Sequence, residues 1–146
     1  MTTARHHRPA LLVGFLLLVG GVAFLASRFR PGSWYDTLAK PPWTPPDWVF
    51  APAWSVLYVA IAVAGWLIFT RPATAADGEP SAAGGRPAAA DRLLWSLQLL
   101  LNALWSWLFF GLHRTGVALA DLTALVICLS ALLFHLAGRQ RASFWL

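Results

Sequence analysis

Four stretches of this chain, residues 9–27, 48–70, 93–113 and 116–138, contain a single formally charged residue between them, Asp121. At about 1.5 Å per residue, a helix of roughly 20 residues crosses a hydrocarbon core of about 30 Å. Lipid offers the backbone no hydrogen-bond partners, so such stretches are expected to be helical. The expected fold class is therefore all-α, a polytopic membrane helix bundle forming one membrane domain over residues 1–146. Composition agrees, since 58 % of residues are hydrophobic and 12 % charged, against roughly a quarter charged in soluble domains. Nine tryptophans suit the membrane–water interface, where an apolar ring with one N–H is at home.

The net charge of +5 and pI near 10.7 do not point to nucleic acid. The cations lie between apolar spans and form no patch with helical spacing. Cys128 is the only cysteine, which rules out an intrachain disulfide and leaves the redox compartment open. His6 and His7 are two adjacent imidazoles on a basic tail without further ligands, so no metal site is expected there.

The first span could be a secretory signal, given its basic start. Cutting after Ala26 or Ser27 would, however, leave Phe24 or Leu25 where a small residue is required, so a retained span is expected. Ala10, Gly14 and Gly21 give it a small face suited to close packing against a neighbouring helix. Residues 28–47 form a capping loop that opens the run WYDTLAKPPWTPPDWVFAPAWSVLY, residues 34–58. Pro41, Pro42, Pro45, Pro46 and Pro52 fix φ and remove N–H donors, so the first half should be stiff and extended. From about Val49 the run should become helical. Trp54 and Tyr58 then share a face, and Ala60 and Ala64 form a second small face. Residues 71–91, rich in Ala, Gly and Pro, read as a flexible linker.

In the third span Trp95, Gln98, Asn102, Trp105 and Phe109 recur at intervals of three, four, three and four, which is one stripe of one helix. Unpaired amides are costly against lipid, so the stripe should face the bundle interior. Two readings stay open on the residues alone: helix–helix hydrogen bonding or the wall of a pocket. In the fourth span Asp121, Leu125, Cys128, Leu132 and His135 share a face. Asp121 is expected either to act functionally or to sit near the interface, hydrated or paired with Arg114. Two helical turns separate Asp121 from Cys128 and Cys128 from His135, which argues against a metal site.

With four spans, the side holding the N-terminus carries Arg5, Arg8, Arg71, Arg86, Arg92, Arg139 and Arg141. The other side carries Arg28, Arg30, Lys40 and Arg114. The excess places the N-terminus in the cytoplasm of a bacterial cell membrane and the capping loop outside, near the start of the fourth span.

Trp34-Tyr35, Leu38, Lys40-Pro41, Trp43, Pro45-Pro46, Trp48, Phe50, Pro52, Trp54 and Leu57-Tyr58 resemble the signature of the TspO/MBR family, the tryptophan-rich sensory and translocator proteins. A second block, Asn102-Ala103-Leu104-Trp105, Phe109-Phe110-Gly111, Ala118-Leu119 and Asp121, follows in the family's order. The resemblance implies a five-helix bundle whose pocket binds tetrapyrroles such as protoporphyrin IX, with Tyr35, Trp54, Asn102 and Trp105 on its wall. It thereby favours the pocket reading of the third-span stripe. The fifth helix is not present in this reading; residues 141–146 resemble the run-in to it. Sterol binding is not inferred.

A porphyrin is a flat aromatic plate with carboxylates on one edge, so aromatic faces and rim cations suit it. The ligand-contacting candidates are Tyr35, Lys40, Trp43, Trp54, Tyr58, Gln98, Asn102, Trp105 and Phe109, with Lys40 or a nearby Arg holding a propionate. No metal and no obligatory cofactor is expected. The resemblance also raises light-dependent porphyrin degradation involving Trp54, although no hydrolytic triad, phosphate loop or metal set supports conventional catalysis. The third alternative is a structural membrane partner without a small ligand. The expected partners are the lipid bilayer and a tetrapyrrole, with a homodimer left open and nucleic acid not expected.

Overall fold

The computed structural model describes residues 7–70 and 85–142. Five α-helices follow one another: α1 (His7–Ala26), α2 (Ser33–Asp36), α3 (Phe50–Thr70), α4 (Gly85–Ser106) and α5 (Thr115–Ala142). A 3-10 turn, Asp47–Val49, leads into α3, and a π turn, Trp107–Gly111, continues α4. Four of these elements are long and apolar enough to cross a membrane, over Pro9–Ala26, Phe50–Thr70, Ala89–Gly111 and Thr115–Ala137. The four expected spans are thus present, and the described residues contain no strand.

Two boundaries differ from the sequence reading. Residues 85–91 belong to α4 and not to a linker. Pro87 falls in the first turn, where its missing N–H has no intrahelical acceptor to lose, and Ala88–Ala90 are strong helix formers. Asp91 is accordingly buried, 3.7 Å from Nδ1 of His135 on α5. At the other end α5 runs on through Arg141 and Ala142, so those two residues extend this helix. The rest of the stretch read as a linker, 71–84, and residues 143–146 lie outside the described residues. The capping loop is also not extended throughout. Residues 33–36 make one helical turn, which the prolines do not prevent because they begin only at Pro41.

Packing is strongest between α4 and α5 and between α1 and α3, while α4 also touches α1 and α3. Val19, Ala62, Ile68, Trp95, Leu99 and Leu132 form the core, with Phe15 and Ile61 packed on it. Trp95 is its centre. Its ring meets Phe15 edge-on at 5.3 Å and Phe69 at 5.6 Å, and its indole N–H donates to the Ile61 carbonyl at 3.0 Å.

The small residues that permit this packing are not the expected ones. A Cβ at Gly14, Gly20 or Gly21 would meet nothing within 4 Å, so the small face of α1 is open. Ala60 is likewise exposed, and Ala64 only borders the core. The close approach is made by Ala62 and Gly65, on the face of α3 turned to Trp95 and Phe15. A Cβ at Gly65 would press into the Trp95 indole and come within 2.9 Å of Phe15. We expect Gly65→Ala to destabilise the bundle by about 1–3 kcal/mol through overpacking, measured by unfolding in detergent. Gly14→Ala should be neutral in the same assay.

Candidate functional site

The long π turn shapes the C-terminal end of α4. Leu112 N–H donates to Trp107 carbonyl at 2.9 Å and Arg114 N–H to Leu108 carbonyl at 3.0 Å, while His113 takes a φ of 55°. The second bond and the left-handed residue are a helix-ending device in which the residue after the helix reverses the chain. The widened turn brings two consecutive side chains, Phe109 and Phe110, to the same neighbours. Both rings meet Tyr35, at 6.4 and 5.7 Å.

The capping segment is fastened to this end. Trp34 on α2 stacks on the His113 imidazole at 4.2 Å and meets Phe109 edge-on at 5.6 Å. A Cβ on Gly111 would lie 2.9 Å from the Phe29 ring, so only glycine admits that close pass. The loop therefore lies over the α4–α5 turn, as the order of the spans led one to expect.

Below the cap, aromatic rings follow one another down the bundle. Phe109 stacks on Trp105 at 5.3 Å with planes 9° apart. Trp105 faces Trp54 of α3 at 6.3 Å, and Trp54 stacks on Tyr58 at 5.6 Å. Tyr58 O–H then donates to Oδ1 of Asn102 at 3.1 Å, which ties α3 back to α4. A cleft of about 80 Å³ opens beside this ladder, lined by Trp54, Asn102, Trp105, Leu122 and Leu125. Its wall is nearly all apolar, with the Asn102 amide as its polar feature.

The expected stripe on α4 does face inward, but it divides. Trp95 serves the core with α1 and α3 and is not at the cleft. Gln98 is 2 % exposed, and its Oε1 has no hydrogen-bond partner among the described residues. Asn102, Trp105 and Phe109 belong to the ladder and cleft. Asn102 combines both features, since it bonds to Tyr58 of α3 and borders the cleft.

Of the remaining candidates, Tyr35, Trp54 and Tyr58 join the same connected group. Lys40 sits at its outer rim, with Nζ 4.1 Å from the Tyr35 ring centre and 3.9 Å from the Asp36 carboxylate. That ion pair is exposed and contributes little to stability. Trp43 stands apart, 80 % exposed on the loop. Asp121 forms no ion pair with Arg114. It is 9 % exposed, and its Oδ2 lacks a hydrogen-bond partner among the described residues. Its face-mates Leu125, Cys128 and Leu132 are buried too, and Cys128 Sγ lies 3.3 Å from the Leu94 carbonyl, so this face meets α4.

Trp34, Phe110, His113 and Leu122 were not among the candidates. Trp34 was legible as part of the aromatic loop. Phe110 was not, because a 3.6-residue period sets it off the Phe109 face. Leu122 and Leu125 are ordinary span leucines whose role depends on which helix stands opposite.

The profile of the TspO/MBR family matches residues 12–146. Over 86 residues the chain is 40 % identical to protein CrtK of Rhodobacter capsulatus, covering 59 % of this chain and 48 % of that one. It is 37 % identical to the translocator protein of Bos taurus over 115 residues, covering 75 % and 62 % respectively. It is 34 % identical to the tryptophan-rich sensory protein of Cereibacter sphaeroides over 111 residues, covering 76 % and 61 %. The chain thus spans from about half to just under two thirds of the length of these relatives.

Proposed function

Because this chain belongs to the TspO/MBR family and is an integral membrane protein, we propose that it binds a tetrapyrrole, a flat acidic porphyrin, in the cleft between α3, α4 and α5. The role that follows is regulatory, sensory or transport, in keeping with relatives named as sensory and translocator proteins. The proposed location is a bacterial cell membrane with the N-terminus in the cytoplasm, as the cation asymmetry favours. The observation that carries the reading is the Trp54–Trp105–Phe109 ladder. It presents the near-parallel rings of Trp105 and Phe109 and the Trp54 ring, tilted 30° from Trp105, beside an apolar cleft, under a cap that brings a cation to the rim.

The lining suits such a guest, but the volume does not suit it as it stands. Ligand pockets commonly measure roughly 300–1,000 Å³, against about 80 Å³ here. Binding therefore requires the cleft to widen. The direction of least resistance is between α3 and α5, which make no extensive contact with each other. Aromatic faces would then hold the plate, Asn102 would offer its amide, and Lys40, Arg28 or Arg114 would hold the carboxylates at the wet rim.

Titration of the purified chain with protoporphyrin IX, followed by tryptophan quenching, tests this. Saturable one-to-one binding is expected. Lys40→Ala, Arg28→Ala or Arg114→Ala should weaken it by about twofold to fivefold, the worth of one exposed ion pair. Absence of saturable binding discards the tetrapyrrole reading. Saturable binding with all three variants unchanged discards only the cationic rim.

A further inference from the structure

A second cavity lies on the other side of α4, between it and α1. It measures about 300 Å³ and is bordered by Leu18 and Val22 of α1 and by Trp95, Leu99, Leu100 and Ala103 of α4. Leu18 and Leu100 are half exposed, so the groove opens outward to the lipid. Ser96 also borders it, but its hydroxyl is already spent on the Arg92 carbonyl at 2.9 Å. The groove therefore offers an apolar guest an essentially apolar wall.

Arg92, Ser96, Leu99 and Ala103 follow at intervals of four, three and four, so Arg92 stands on the groove's own stripe, at the end of the bundle where α1 begins. From Arg92 to Ala103 the stripe runs about 16 Å along the helix axis. The Arg92 guanidinium lies over the Phe69 ring, 5.5 Å from its centre, and has no ion pair or hydrogen bond among the described residues. The neighbouring carboxylate, Asp91, is buried on the opposite side, toward His135. A cation with unmatched N–H donors thus stands one helical turn beyond Ser96, the nearest groove residue on its stripe, close to the end of the span. Arginine at such a place matches a phosphate in two-point geometry.

We propose that this groove is a binding site for one anionic phospholipid. One acyl chain lies along the Arg92–Ala103 stripe against Leu18 and Val22, and Arg92 holds the phosphodiester of the headgroup. Basic positions at the ends of apolar grooves between membrane helices are suited to this chemistry.

Native mass spectrometry of the full chain tests it, with equimolar phosphatidylglycerol and phosphatidylcholine of matched acyl chains. One phosphatidylglycerol per chain should survive at collision energies that strip phosphatidylcholine. Arg92→Gln should lower its occupancy about fivefold, the attraction of one interfacial cation, and Arg92→Lys should restore part of it. Ala103→Phe should lower retention of both lipids by filling the channel. Arg92 lies outside the core, so Arg92→Gln folds as the parent does, which circular dichroism verifies. Equal retention of the two lipids, or an Arg92→Gln chain that keeps phosphatidylglycerol as the parent does, overturns the proposal.

Discussion

Replacing Trp95 by alanine is expected to lower the stability of the bundle by about 3 kcal/mol, the low end of the cost of removing a buried aromatic ring. The ring is 3 % exposed and touches two neighbouring helices at once: Phe15 on α1, and both Phe69 and the Ile61 carbonyl on α3. In a bilayer the separated helices already sit in hydrocarbon, so little of the cost comes from transfer out of water. It comes from lost dispersion contacts, the void beside Gly65 and the Ile61 carbonyl left without the indole N–H. Trp95→Phe keeps most of the ring and loses the hydrogen bond, so about 1 kcal/mol should be lost. Trp107, on the exposed side of the π turn, is the control, and Trp107→Ala should stay within about 0.5 kcal/mol of the parent. Reversible unfolding in mixed detergent micelles, followed by far-ultraviolet circular dichroism, reads all three. A Trp95→Ala chain as stable as Trp107→Ala would show that α1, α3 and α4 are not joined through this residue.

Trp95 also illustrates which parts of the architecture the residues disclose. The four spans were legible because a bilayer imposes a length and forbids charge, and both leave a plain trace in sequence. The inward face of α4 was legible because two amides on one stripe have no acceptable position against lipid. Which of its members would bind a neighbour and which would border a cleft was not legible. Trp95 and Trp105 have the same chemistry on the same stripe and differ only in what stands opposite. The glycines show the same limit. Gly14 and Gly21 have an orderly spacing and meet nothing, whereas Gly65, with no partner at that spacing, admits the indole. Close approach depends on the shape of the second surface, and one helix does not record it.

Local irregularity escaped for a different reason. A periodicity argument assumes 3.6 residues per turn, and the π turn at Trp107–Gly111 breaks that assumption at the place where α4 reaches the cap. Phe109 and Phe110, consecutive residues of this widened turn, both meet Tyr35. The early start of α4 is a matter of degree. Ala-rich sequence next to Pro and Gly is compatible with a linker or a first turn, and the buried contact of Asp91 near His135 goes with the helical choice.

For the cleft, the largest expected effect is on porphyrin affinity in Trp105→Ala. Trp105 is the ring that joins the two walls of the ladder: Trp54 of α3 faces it, and Phe109 and Phe110 pack against it. It also lines the cleft. In the proposed complex its face is where the plate would stack. An aromatic contact contributes about 0.5–1.5 kcal/mol beyond the area it buries, so its loss should raise Kd about tenfold or more. Trp54→Ala should act similarly, because Trp54 forms the facing wall from α3. Trp43 provides the contrast. It shares the loop and the indole but stands 80 % exposed, away from the ladder, so Trp43→Ala should leave Kd within about twofold, as for surface changes generally. Fluorescence titration with protoporphyrin IX separates these outcomes. Comparable weakening in all three variants would mean that the porphyrin binds wherever indoles are accessible. Weakening in Trp43→Ala alone would place it on the loop surface. In either case the cleft between α3 and α5 would not be its site, since only a guest between Trp54 and Trp105 distinguishes the walls from the cap.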